Sequence, residues 1–151
     1  MEGADNLNSR KAGKTTMPLM TWESQYSVQV QKFDHDHKHL FNMVNDLNEA
    51  MRAGKGKAVL GQVLAGVASY AQGHFAAEEA AMRRTSYPAF AEHQAEHREL
   101  TNKVQEFIGE YQKGNVLVSI DLLMFLRDWL QKHILVTDRK YGAHLNANGV
   151  C

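Results

Sequence analysis

The stretch FDHDHKHLFNMVNDLNEAM, Phe33 to Met51, sets three histidines within five residues: His35, His37 and His39. On a helix, residues three and four apart share a face. Starting from His37, that rule collects Leu40, Phe41, Val44, Leu47, Asn48 and Met51. His35 and His39 fall instead with Asn42 and Asp46, on a polar face. The spacing predicts that His37 points at a core and that its two neighbours point at water. AGKGK, residues 53–57, supplies the glycine that ends the helix.

Three more segments keep the same period. From about Lys57 to Arg84 the inward set is Leu60, Val63, Leu64, Val67, Tyr70, Ala71, His74, Phe75, Glu78 and Met82. TSYP, residues 85–88, breaks that segment, and Pro88 opens a third helix. Its inward set is Phe90, His93, His97, Leu100, Val104, Phe107 and Tyr111, and KGN at 113–115 stops it. The fourth starts near Ser119, a residue type that caps helix N-termini. It turns Leu122, Leu126, Trp129, Leu130, His133 and Val136 inward and runs to about Leu145. Ahead of the first helix, Trp22, Tyr26, Val28 and Val30 read as an arm packed across the bundle, with a short strand as the other reading.

Four amphipathic helices with short connections and no strand pattern between them predict an all-α fold. The default arrangement is an antiparallel up-down-up-down four-helix bundle with an N-terminal arm. Its expected limits are residues 21–146, with a disordered polar extension over 1–20 and a short tail over 147–151. At 151 residues the chain suits one domain around one core. Lys+Arg and Asp+Glu are balanced at 17 each, which argues against a nucleic-acid footprint or a polybasic membrane surface. No apolar run approaches the roughly 18 residues that span a bilayer. The N-terminus lacks the apolar core of a signal peptide. The expectation is a cytoplasmic monomer with no membrane insertion. The one cysteine, Cys151, is the last residue and can form no internal disulfide.

Each helix also brings polar residues to a face that should be apolar. These are His37, then His74 and Glu78, then His93 and His97, then His133 and Asp138. Burying an unpaired polar group or a charge costs several kcal/mol, so seven of them in one small core need a common cause. A lone inward histidine is more often a hydrogen-bonded core residue than a ligand, and Phe41, Phe75, Met82 and Trp129 are core by default. The conjunction carries the argument. His74 and Glu78 are four apart, as are His93 and His97, so each pair sits one turn apart on one face. Five imidazoles and two carboxylates are too many for one tetrahedral zinc ion. They suit two octahedral first-row ions with bridging carboxylates. The mixture favours iron, manganese or zinc over calcium or magnesium.

The segments DHDHKHLF, HFAAEEAAM, YPAFAEHQAEH and DWLQKHILVTDRKY resemble the hemerythrin family, in particular its single-domain bacterial members, over roughly Thr21 to Leu145. The ordered pattern of His, His-x3-Glu, His-x3-His and His-x4-Asp fills every ligand position of that family. The resemblance implies that His93, His97 and His133 bind one iron ion and His37 and His74 the other. Glu78 and Asp138 would bridge the two, together with an oxo or hydroxo group. The two-histidine iron would keep one open position, where O2 binds. His35 and Asp36 replace the commoner Glu-Gln of the family; lying off the inward face, they are expected to matter little. Leu130, Phe41 and Trp129 are the expected apolar walls.

Asp138 follows His133 by five residues, which on a regular α-helix is a rotation of about 140°. If both serve one cluster, a π-bulge or a loosened turn is expected between them. The function implied by the resemblance is reversible dioxygen binding for storage, transport or delivery, with no enzymatic activity. An O2-consuming oxidase is the expected recipient. The competing readings are a di-iron enzyme (peroxidase, ferroxidase or nitric oxide reductase), an O2 or redox sensor, or a metal store.

Overall fold

The computed structural model describes residues 18–55, 57–115, 117 and 119–151. Of the extension expected over residues 1–20, residues 1–17 lie outside them. Four long helical segments form the bundle: α1 (Gln31–Arg52), α2 (Lys57–Arg84), α3 (Phe90–Gln112) and a composite fourth. The fourth begins as α4 (Ile120–Lys132), passes through a π-helical turn (His133–Thr137) and a 3-10 turn (Asp138–Tyr141), and ends as α5 (Gly142–Ala147). α1 packs against α2 and α4, and α2 packs against α3. This is the four-helix bundle that the periodicity predicts, with no strand among the described residues.

Local chemistry sets the helix ends. α1 and α3 stop at Gly54 and Gly114, whose φ values of +68° and +81° suit glycine best. α4 starts where Ser119 Oγ accepts from the Leu122 N–H at 3.2 Å. Val30 precedes α1 and offers no side-chain cap. The Asp34 carboxylate, in the first turn, accepts from Ser27 Oγ at 2.6 Å and from the Val28 N–H at 2.8 Å. It ties the arm to the helix start, where a negative charge is favoured.

The arm holds a 3-10 turn, Ser24–Tyr26, and the strand reading of it is not realised. Tyr26, Val28 and Val30 are buried. Trp22, Tyr26 and Phe41 form an aromatic cluster with centroids 5.0–5.7 Å apart. Met20 is buried too, and its backbone N–H and C=O both pair with the Asn45 side chain at 2.8 Å. Packed chain therefore begins before residue 21, the expected boundary. At the other end Asn146 donates to Gln29 O at 2.9 Å and to Val150 O at 2.8 Å, so the tail folds back onto the bundle.

The inward faces follow the periodicity through the first three helices: Leu40, Leu47, Leu64, Met82, Leu100 and Val104 are all buried. The fourth segment departs from it. Val136, expected inside, is 48% exposed, while Ile134 is buried. Leu123 rather than Leu122 is the fully buried residue near its start. The π-helical turn explains Val136. It holds one more residue than an α-turn, so every face beyond His133 moves on by one position. Asp138, Tyr141 and Leu145 consequently face the core, and Val136 faces solvent.

Candidate metal centre

α1 delivers His37, α2 delivers His74 and Glu78, α3 delivers His93 and His97, and the fourth segment delivers His133 and Asp138. All seven are buried, at 0–4% exposure. They meet in one cluster near one end of the bundle. Asp138 Oδ1 lies 2.9 Å from His93 Nε2 and 3.0 Å from His133 Nε2, while its Oδ2 lies 3.1 Å from His37 Nε2. Glu78 Oε1 lies 3.1 Å from His74 Nε2 and 3.4 Å from His97 Nε2. His35 and His39 are exposed and take no part.

The cluster divides into two overlapping sets whose ligand atoms lie within 4.8 Å of one another. One set is Glu78, His93, His97, His133 and Asp138; the other is His37, His74, Glu78 and Asp138. The two carboxylates belong to both. Apart from these shared carboxylates, one set offers three imidazoles and the other two, so each could hold a cation.

Donor chemistry supports that reading. His37 Nε2, His74 Nε2, His93 Nε2, Glu78 Oε1 and both Asp138 oxygens are buried without a hydrogen-bond partner. Their short mutual separations lack hydrogen-bond alignment, although the ligand atoms of each set lie within 4.8 Å of one another. Buried polar atoms left this way are rare in folded proteins, and a coordinated cation satisfies them together. The atoms are imidazole nitrogens and carboxylate oxygens, the donor mixture of first-row transition ions.

Electrostatics within the cluster are strong. Burial pushes the His37 imidazole down, but the adjoining Asp138 and Glu78 carboxylates outweigh it and raise His37 to about 10. His133 is raised to about 9, burial again being overcome, here by Asp138, Glu78 and Glu96. Burial and Glu78 both push the Asp138 carboxyl up, yet His133 and His37 hold it well below the usual carboxylate range. Glu78 is likewise held low, burial being outweighed by His74, His37 and His97.

Around the seven lies a set of residues that the helical phase did not single out. The Asp36 carboxylate accepts from His74 Nδ1 at 2.9 Å, so the expectation that Asp36 matters little is corrected. Glu79 pairs with His97 Nδ1 at 3.1 Å, and Glu96 pairs with His133 Nδ1 at 2.7 Å. Each carboxylate is adjacent in sequence to an inward residue: His37, Glu78 or His97. Tyr141, fully buried, donates its hydroxyl to Glu78 Oε2. It follows Asp138 by three residues, and the shift of face after the π-turn turns it inward.

The apolar walls are ring faces. Phe75 stacks on His97 at 3.9 Å and Trp129 stacks on His133 at 4.4 Å. Tyr141 stacks on His93 at 5.5 Å, and Phe33 meets His74 edge-on at 5.9 Å. Leu130 is buried one turn before His133; Phe41 is buried too, within the aromatic cluster of the arm.

Known proteins resemble this chain in sequence and fold. The Hemerythrin HHE cation binding domain matches residues 28–145. The bacteriohemerythrin of Methylococcus capsulatus is 35% identical over 132 residues, covering 87% of this chain and 100% of its own length. That of Stenotrophomonas maltophilia is 31% identical over 134 residues, 86% of each chain. A crystal structure of a wild-type hemerythrin superposes with a TM-score of 0.80 at 35% identity, covering 84% of this chain and 98% of that one. The chain belongs to the hemerythrin family.

Proposed function

We propose that this protein binds dioxygen reversibly at a pair of iron ions. In this reading His93, His97 and His133 would hold one ion, His37 and His74 would hold the other, and both would share Glu78 and Asp138. The observation that carries the proposal is the sharing of both carboxylates by two ligand sets of unequal size. The two-histidine set has one ligand fewer, and an iron pair held by the two sets together would supply a position for O2 and the electrons that its binding takes up.

The chain's own residues do the rest. Glu78 and Asp138, common to both ligand sets, would hold the two ions side by side. Phe75, Trp129 and Phe33 keep water from the imidazoles. The surrounding acids, Asp36, Glu79 and Glu96, are each paired to the outer nitrogen of a cluster histidine, which orients that ring toward the centre.

The ligand set is complete within one chain, which suits a monomer. No helix of the described residues is long and apolar enough to cross a membrane. We assign the protein to O2 storage, transport or delivery in the cytoplasm, with an O2-consuming oxidase as recipient. The test is O2 uptake by the iron-loaded, anaerobically reduced protein. Uptake stoichiometric with the bound iron pair, returned on purging, supports the carrier. Continuous O2 consumption in the presence of a reductant supports a di-iron oxidase instead.

A further inference from the structure

The three carboxylates on the cluster's histidines follow a rule of direction. Asp36 on α1 reaches His74 on α2, Glu79 on α2 reaches His97 on α3, and Glu96 on α3 reaches His133 at the end of α4. Each helix serves a histidine of the next one in the chain. Asp36 and Glu96 precede an inward residue by one position, whereas Glu79 follows one.

The alternation has a geometric cause. One residue on a helix is a rotation of about 100°, which carries a side chain from the core face to the flank facing a neighbour. Seen from one end of the bundle, stepping back along an upward helix turns the same way as stepping forward along a downward one. Helices α1 and α3 run one way and α2 the other, so −1, +1 and −1 all point around the bundle in one sense.

Asp36 and Glu79 are sheltered, at 14% and 18% exposure, whereas Glu96 is 45% exposed and makes the shortest of the three contacts, 2.7 Å. Asp36 Oδ1 also accepts from Tyr70 Oη at 3.1 Å, and Glu79 Oε1 accepts from Gln94 Nε2 at 2.6 Å. His37 Nδ1 and His93 Nδ1 have no partner at all. A carboxylate on Nδ1 fixes the tautomer and ring orientation, aims the Nε2 lone pair inward and makes it a better donor.

Resting on the paired-ion reading above, we propose that these acids tune the two cation positions separately. Asp36, held by Tyr70, is a positioning residue for the two-histidine position through His74. Glu79 and Glu96 are positioning residues for the three-histidine position through His97 and His133. One of two imidazoles is backed on the first side and two of three on the second. The three-histidine position is therefore the tighter, and each position answers to its own carboxylates.

Co2+ titration of the metal-free full-length protein, followed by chelator competition, tests this without iron or O2. The wild-type chain binds two ions with separable affinities. Asp36→Asn keeps the side-chain shape and weakens only the weaker-binding ion, by about 10–100-fold. Tyr70→Phe weakens the same ion by less, and Asp36→Glu recovers part of the loss. Glu96→Gln weakens the tighter ion instead. Circular dichroism of the metal-free variants matches wild type. Equal weakening of both ions by Asp36→Asn, or no weakening, overturns the proposal while leaving the paired centre standing. A wild-type chain that takes up one ion overturns the paired reading itself, and this inference with it.

Discussion

His133 Nε2 and Asp138 Oδ1 stand 3.0 Å apart, although five residues separate them in the chain. A regular α-helix would turn them about 140° away from each other. The π-helical turn from His133 to Thr137 widens the helix and brings both to one side. The Asp138 N–H is shared between the carbonyls of His133, five residues back, and Ile134.

A through-hydrogen-bond scalar coupling reads that geometry in solution. The prediction is a coupling from the Asp138 amide nitrogen to the His133 carbonyl carbon. A coupling to Ile134 alone means a regular α-turn, and Asp138 would then reach the cluster in some other way.

Of the three histidines between Phe33 and Phe41, one is a ligand in this account. His37 is 1% exposed and 3.1 Å from Asp138, whereas His35 and His39 lie on the surface. His37→Ala should lower the metal content of the purified protein, with the loss on the two-histidine position. His35→Ala and His39→Ala should leave it unchanged. Metal analysis of the three variants decides, and a loss in His39→Ala with none in His37→Ala reverses the assignment.

Protons and cations compete for the cluster. In the metal-free protein His37 is raised from 6.5 to about 10 and His133 to about 9. Their contribution to stability is fully present below the unfolded value of 6.5 and is lost as pH rises through about 9 to 10. Glu78 and Asp138 are held low, so their contribution is present above the ordinary carboxylate value and fades as pH falls below it. Thermal melts of metal-free protein should therefore weaken at both extremes. Metal uptake at neutral pH should release protons, and affinity should climb with pH toward about 9 to 10. Flat affinity over that range contradicts the charge assignment.

Gly142 marks where the arm crosses the fourth segment. A Cβ there would sit 2.5 Å from Val28 O, a backbone atom that cannot swing aside. Gly142→Ala should cost about 1–3 kcal/mol. Gly109, in α3, has nothing within 4 Å of its would-be Cβ. Gly109→Ala should stabilise by up to about 1 kcal/mol through helix propensity alone. Denaturant melts of both variants check the pair, and a neutral Gly142→Ala means the arm does not pack there.

The sequence made the seven candidate ligands legible because a buried ionisable residue violates the period it sits in. His74, Glu78, His93 and His97 each interrupt an apolar stripe at the spacing of that stripe. The five-residue step to Asp138 announces the wide turn, but a constant helical period does not carry its effect to the next faces, so by that period Val136 reads as inward. Asp36, Glu79 and Glu96 were not legible in the same way. On a single helix, a carboxylate one step from the inward face looks like any solvated charge. Its partner is on another helix, and only the assembled bundle brings the two together. Tyr141 escaped for the same reason as Val136, since its face depends on the extra residue in the π-turn.

The proposed function is reversible O2 binding at a bound iron pair. The most direct measurement is the visible spectrum of the iron-loaded, anaerobically reduced protein, recorded again in air and once more after O2 is removed. The account predicts a charge-transfer band that appears with O2, disappears on its removal and returns over repeated cycles. A single irreversible change to a ferric spectrum, or no O2-dependent band in iron-loaded protein, would contradict it.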